Sequence, residues 1–173
     1  MRDDLKENIK LTGQRLVPFV LSLLFILFNY IPSNLGFSNI IRPEVGVICV
    51  FYWVLNRPDL FNMFMVFFLG LVSDMMSAIP LGTNTVCYLI IYLILNNMSS
   101  FFCNKPFNVV WLMFSFVFVL VELFKWLEVS VYYAEFSPIG HLFFTILFTI
   151  ACYPLISFIN DAARRYLMND DEE

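Results

Sequence analysis

Charged residues are scarce in this chain, at only 14% of 173 residues. A soluble domain typically carries about 25% charged residues. Apolar residues make up 60% instead, and the mean hydropathy is +0.78. The composition therefore excludes an ordinary soluble domain, and the net charge of -4 excludes a basic nucleic-acid surface.

Residue patterns typical of catalytic or metal sites are also missing. There is one histidine, and no nucleophile elbow, H-E-x-x-H motif or phosphate-binding glycine loop. We therefore predict no enzyme, metal or cofactor, although a membrane enzyme using one acid and one histidine stays open. No C-x-x-C spacing occurs, so we interpret the cysteines as buried small apolar residues rather than disulfides or metal ligands. They are Cys49, Cys87, Cys103 and Cys152.

Six apolar segments reach or approach the length of about 20 residues that a membrane crossing requires. The continuous runs do not show the ten-residue alternation of an outer-membrane barrel. We predict an all-α integral membrane protein, with six transmembrane helices in one bundle and one domain. A short N-terminal segment, residues 1–15, and an acidic tail, residues 161–173, flank the bundle. The predicted spans are residues 16–32, 43–55, 60–79, 81–95, 107–134 and 139–159.

Basic residues predict the orientation. With both termini in the cytoplasm, only Arg42 falls in an outer loop and Lys125 within a span, so the positive-inside rule is satisfied. Span two is short, at about 20 Å. We keep it as a true span flanked by Arg42 and Glu44, which can snorkel, because a re-entrant segment would reverse the charge bias. The basic residues then inside are Arg2, Lys6, Lys10, Arg15, Arg57, Lys105, Arg164 and Arg165.

A carboxylate lies within the apolar stretch FFLGLVSDMMSAIPLG, at Asp74 in predicted span three. Gly70, Ser73, Asp74 and Ser77 follow the i, i+3, i+4, i+7 spacing of one helix face. A small and polar face lets another helix approach closely and hides the carboxylate from lipid. The spacing therefore predicts that this face contacts protein.

Other polar residues are predicted at a similar depth. Glu122 and Lys125 share a face of span five, Asn84 begins span four, and His141 begins span six. We predict that they converge with Asp74 on a groove or partner interface in the outer half, walled by spans three to six. Lys125 could pair with Glu122 or Asp74. Each residue also has a simpler interpretation, an ion pair for Glu122 with Lys125 and an interfacial hydrogen bond for His141.

The hairpin of spans three and four resembles that of the rod shape-determining protein MreD family, which reads approximately G-L-x-x-D-x-x-x-G-x-x-L-G. Chain length, the six-span plan and a short second span ending FYWVLNRPD support the resemblance, whose specific part covers residues 52–95. The family's second glycine falls at Ala78, a departure in the outer turn. The matching positions are Gly70, Leu71, Asp74, Leu81 and Gly82.

The resemblance implies a non-catalytic scaffold subunit in the bacterial cytoplasmic membrane that supports lateral peptidoglycan synthesis. It implies binding to MreC, a single-span periplasmic protein, and indirect links to RodA, the elongation transpeptidase and MreB. It also implies that Gly70, Asp74, Leu81 and Gly82 hold the hairpin that shapes the outer groove. Whether two copies associate as a homodimer stays open.

A rival interpretation comes from the similar fold expected for the membrane substrate-binding subunits of energy-coupling-factor transporters. A polar cluster in the outer half of a small bundle also suits a bound vitamin. Such a carrier needs a long loop covering the pocket. Here the connection between the first two spans, residues 33–42, has the length of a plain connection.

Overall fold

The computed structural model describes residues 2–30, 42–77, 79–102, 105–134 and 139–169. This part of the chain is all-helical and contains six helices and no strand. The helices are α1 (Arg2–Tyr30), α2 (Val45–Asn56), α3 (Met63–Met76), α4 (Thr83–Phe102), α5 (Phe107–Tyr133) and α6 (Ile139–Asn169). Each predicted span thus overlaps one helix, and α1, α4 and α6 extend well beyond the predicted bounds.

Several sequence predictions concern residues outside the part of the chain that the structure describes. Most of the outer loop between the first two spans, the departure at Ala78, the cysteine Cys103 and the end of the acidic tail lie outside the described residues. Cys49 and Cys87 are buried in the core, as predicted, and Cys152 is half-buried.

The short helix α2 occupies the centre of the bundle. Every residue from Val45 to Leu55 is buried, and α2 packs against α1, α3, α4 and α6. Phe51 lies edge-on to Phe114 of α5 and Tyr153 of α6, with ring centroids 5.1 and 6.0 Å apart. A 12-residue helix measures only about 18 Å, and it is uniformly apolar because its neighbours on every side are other helices.

Polar contacts join α2 to α6. The indole N–H of Trp53 donates to Asn160 Oδ1 at 2.9 Å, and the Tyr52 hydroxyl donates to Asp161 Oδ1 at 2.9 Å. Asn160 is fully buried, so the indole bond satisfies two groups that would otherwise be costly inside an apolar core. These bonds hold the C-terminal half of α2 against α6.

The end of α1 meets the start of α2 at the other end of the bundle. The Asn29 side chain near the end of α1 donates to the Pro43 carbonyl just before α2, at 3.0 Å. Ser77, between α3 and α4, lines one cavity together with Asn29 and Glu44, so this turn lies at the same end, which we call the hairpin end. We call the end containing Asn56 and Asp161 the opposite end.

The outer faces of the helices are apolar and exposed. Phe64, Leu112 and Phe158, on three different helices, are 76%, 73% and 73% exposed. Within the described residues, α5 and residues 139–166 of α6 are long and apolar enough to cross a membrane. Residues 16–30, 45–56 and 63–76 form shorter apolar helices. An apolar exterior over a packed interior is typical of a protein whose outer solvent is lipid.

Candidate functional site at the hairpin end

Asp74 caps α4 from the neighbouring helix. Its Oδ1 accepts the N–H of Asn84 at 2.7 Å, and its Oδ2 accepts the N–H groups of Gly82 and Thr85 at 3.0 and 3.1 Å. The Thr85 hydroxyl donates a fourth bond to Oδ2 at 2.6 Å. The first N–H groups of a helix have no partner within it and carry partial positive charge, so a carboxylate there is favourable. Asp74 is 2% exposed, and within the described residues its carboxylate oxygens accept from backbone N–H groups and a hydroxyl instead of a cation.

Gly70 brings α3 and α4 into close contact one turn before Asp74. A Cβ atom at Gly70 would lie 2.5 Å from Thr85 Cα, a backbone atom that cannot move aside alone. Because Gly70 and Asp74 are four residues apart, the residue that packs on Gly70 also bonds Asp74. The Gly-x-x-x-Asp pattern therefore couples close packing to the helix cap.

Gly82 and Leu81 form the turn of the hairpin. Gly82 has a φ of +106°, a conformation that residues with a Cβ atom rarely adopt. Leu81 is 75% exposed, so it contributes little to packing within the chain. Of the four family-motif positions, Gly70, Asp74 and Gly82 thus build the hairpin, and Leu81 projects from it.

Ser73 and Ser77 extend the same stripe to neighbouring elements. The Tyr88 hydroxyl of α4 donates to Ser73 Oγ at 3.2 Å, and the Tyr30 hydroxyl of α1 lies 3.4 Å from the same atom. The Asn84 amide donates to Ser77 Oγ at 3.0 Å. The whole polar stripe of α3 therefore faces protein.

Lys125 pairs with Glu44, which precedes α2. Its Nζ donates to Glu44 Oε1 at 2.6 Å, and the two side chains are only 13% and 17% exposed. The Glu44 backbone N–H donates to Thr149 Oγ1 of α6 at 3.0 Å. The sequence left Lys125 able to pair with Glu122 or Asp74, and Glu44 able to snorkel outward. The hydrogen-bonded partner of Lys125 is instead Glu44, because the start of α2 lies against α5 and α6, while Glu122 interacts with Lys125 electrostatically.

A cavity of about 280 Å³ opens beside this ion pair. Asn29 and Tyr30 of α1 line it together with the segment 42–44 and Ser77. On the facing side it is lined mainly by Glu122, Lys125 and Trp126 of α5 and by His141 and Thr145 of α6.

The structure separates the predicted groove residues into two groups. Glu122, Lys125 and His141 line the cavity, whereas Asp74 and Asn84 lie in the α3–α4 contact and reach it only through Ser77. Span four does not line the cavity, contrary to the predicted walls. Asp74 binds the N-terminus of α4 to α3. The cavity wall predicted for span four is therefore formed by α1 and the start of α2.

The model for the family described as rod shape-determining protein MreD matches residues 9–160. The chain belongs to the MreD family. It is also 28% identical over 164 residues to the uncharacterized protein RP566 of Rickettsia prowazekii (strain Madrid E), covering 93% of this chain and 94% of the relative. No solved structure matches the chain.

Membership of the MreD family and the apolar helices indicate a membrane protein with a role in rod-shape determination. The family is a shape-determining structural family and not a known enzyme family. The vitamin-carrier interpretation is not favoured.

Proposed function

We propose that this MreD family member is a non-catalytic scaffold of the rod-shape machinery in the bacterial cytoplasmic membrane. Through an MreC-like single-span partner, it supports lateral peptidoglycan synthesis. The observation that carries this proposal is the α3–α4 hairpin, which is fixed internally by Gly70, Asp74 and Gly82 and presents Leu81 outward.

A fixed hairpin with an exposed apolar tip suits recognition of another protein. Asp74 and Thr85 hold the start of α4 in place, so a partner that binds the tip does not have to order it first. Met75 and Met76, at the end of α3 that leads into this turn, are apolar and 77% and 44% exposed. We propose that this surface packs against the single-span partner.

The distribution of charge supports a topology of six spans with the hairpin end outside. Arg57, Lys105, Arg164 and Arg165 are associated with the opposite end, whereas Arg42 and Lys125 line the cavity at the hairpin end. Lys125 is neutralised by Glu44, which leaves little net positive charge there. Under the positive-inside rule, the opposite end is cytoplasmic.

Depletion of the protein tests the function. Rod-shaped host cells are expected to become round, and a plasmid copy is expected to restore the rods. Growth loss that a vitamin supplement reverses, without rounding, would instead support the carrier.

The partner surface is tested with a matched pair of exposed leucines. Leu81→Ser is expected to lower co-purification of the MreC-like partner at least several-fold and to fail to restore rods. Leu112→Ser, on α5 and 73% exposed, is expected to behave as wild type. If both variants co-purified the partner equally well, the hairpin tip would not be part of the interface.

A further inference from the structure

A groove runs between α4 and α5 on the outside of the bundle. It has a volume of about 330 Å³, and the described side chains that line it are all apolar. Its α4 side is formed by Ile90, Ile94 and Met98, which follow one another at four-residue intervals. Side chains four residues apart form a continuous ridge along a helix. One side of the groove is therefore a regular ridge.

The α5 side of the groove has the same spacing. Phe116, Leu120 and Phe124 form a second exposed ridge, and Val117 and Val121 are buried at the base of the groove. The ridge from Phe116 to Phe124 is about 12 Å long at the 1.5 Å rise of a helix. Two ridges with short side chains between them accept a third ridge of the same spacing, which is the surface that another helix presents.

The rigidity of a helix favours it over an acyl chain as the occupant. Lipid is as apolar as the groove, so binding there depends on packing contacts and brings no hydrophobic gain. An acyl chain loses rotational freedom when it is held in a fixed groove, whereas a transmembrane helix is already ordered. The α4 side is itself fixed, because Gly70 and Asp74 hold this helix against α3.

The shape of the groove disfavours a symmetric pair of two copies of this chain. A two-fold interface brings the same patch of both copies together, so the patch must be complementary to itself. Two grooves that face each other would leave a space between them and would lose dispersion contacts. A helix of a different chain fits the groove better.

The groove leads toward the surface proposed for the single-span partner. On α4, Val86 lies four residues before Ile90 and is 40% exposed, and Leu81 lies in the turn just before the helix. A partner bound at this turn has its own membrane helix close to α4. A second contact by a partner that is already bound is effectively intramolecular, so it needs little affinity of its own.

We infer that the α4–α5 groove binds the transmembrane helix of the MreC-like partner through an apolar ridge of residues four apart. The inference rests on the proposed function, from which it takes the partner, and adds the position of that partner's membrane segment. The two fail separately, because co-purification reports on the partner and the position of cross-links reports on the groove.

Photo-cross-linking at two adjacent positions of equal exposure tests the groove. Phe124 lines it and Leu123 is outside its lining, and both are 44% exposed. The analogue p-benzoylphenylalanine replaces one or the other in the full chain, the partner is co-expressed, and cross-linked peptides from irradiated membranes are identified by mass spectrometry. Successive residues of a helix point about 100° apart at nearly the same depth, so cross-linking to the partner's transmembrane segment is expected to be several-fold stronger from Phe124.

Each other result has a defined meaning. Equal cross-linking from the two positions, while the wild-type chain still co-purifies the partner, would overturn the inference and leave the proposed function intact. Cross-links from Phe124 to lipid alone or to a second copy would overturn it in favour of that occupant. A wild-type chain that does not co-purify the partner at all would overturn the proposed partner, and this inference with it.

A variant that fills the groove provides a second test. Ile94→Trp is expected to lower co-purification of the partner several-fold, because the larger side chain occupies the space of the third ridge. Leu93→Trp is the matched control, since Leu93 is adjacent, 51% exposed and outside the lining. Equal co-purification by the two variants would overturn the inference. If Ile94→Trp fails to fold, the cross-linking comparison still decides the matter.

Discussion

Asp74 shows how a single carboxylate can be placed in an apolar helix without a cation. Four donors reach its two oxygens, three of them backbone N–H groups at the start of α4. Hydrogen bonds to an ionised acceptor are about twice as strong as neutral ones. The charge is therefore stabilised where it lies, and the same bonds fix where α4 begins.

Replacing Asp74 with Asn tests this role. The amide retains one acceptor oxygen but turns an NH₂ donor toward backbone N–H groups, so unfolding is expected to cost about 3 kcal/mol less. The measurement is the thermal unfolding midpoint of the purified protein in detergent. Asp59→Asn is the control, since its side chain is 60% exposed and, among the described residues, pairs only with the nearby Arg57. Equal midpoints for the two variants would contradict the capping role.

The sequence was sufficient to predict the contacts of some residues but not of others. The stripe from Gly70 to Ser77 was predictable because neighbours on one helix face follow from the 3.6-residue period alone. The pairing of Lys125 with Glu44 was not, since it joins residues 81 apart through the packing of three elements. Thr85 lies near the start of predicted span four, yet its bond to Asp74 depends on the depth at which α3 and α4 cross.

At the level of elements, the α3–α4 contact depends on one missing side chain. Gly70 allows Thr85 Cα to approach to a distance at which no Cβ atom fits. Small residues let membrane helices approach closely, which increases dispersion contacts where lipid offers no hydrophobic gain. The exclusion of α4 from the cavity wall follows from this contact.

Gly70→Ala is expected to push the two helices apart. The added methyl group would cost about 1–3 kcal/mol as an overpacked contact and would lengthen the bonds to Asp74. The thermal unfolding midpoint should fall, and co-purification of the MreC-like partner should weaken with it. Gly140→Ala is the matched control, because a Cβ there meets nothing within 4 Å. A stable Gly70→Ala variant would show that the close approach is not required.

For the whole molecule, the existence of the helices could be predicted, but not their arrangement. Each of the six apolar segments corresponds to a helix in the described part of the chain, since length and hydropathy are local properties. The central position of the shortest helix was not predictable, because it depends on which faces of the other five helices point inward. The length of α2 had suggested a re-entrant segment as an alternative, whereas its burial shows that protein surrounds it.

The proposed topology can be checked with two cysteines in a chain whose native cysteines are replaced. Leu81→Cys at the hairpin end is expected to react with a membrane-impermeant maleimide in intact cells. Tyr166→Cys, at the opposite end and 72% exposed, is expected to react only after permeabilisation. If α2 did not cross the membrane, both positions would change sides and the labelling would be reversed.

The burial of α2 also affects how the chain is made. Of the helices that pack against it, only α1 leaves the ribosome first, and Asn160, the partner of Trp53, follows 107 residues later. Until α6 is inserted, α2 is a short apolar segment without its final neighbours. Neither its length nor its helix propensity is sufficient to hold it in the membrane. Completion of the last helix is therefore expected to be the step that commits the nascent protein to its fold, and chains arrested before it are expected to be substrates for membrane proteases.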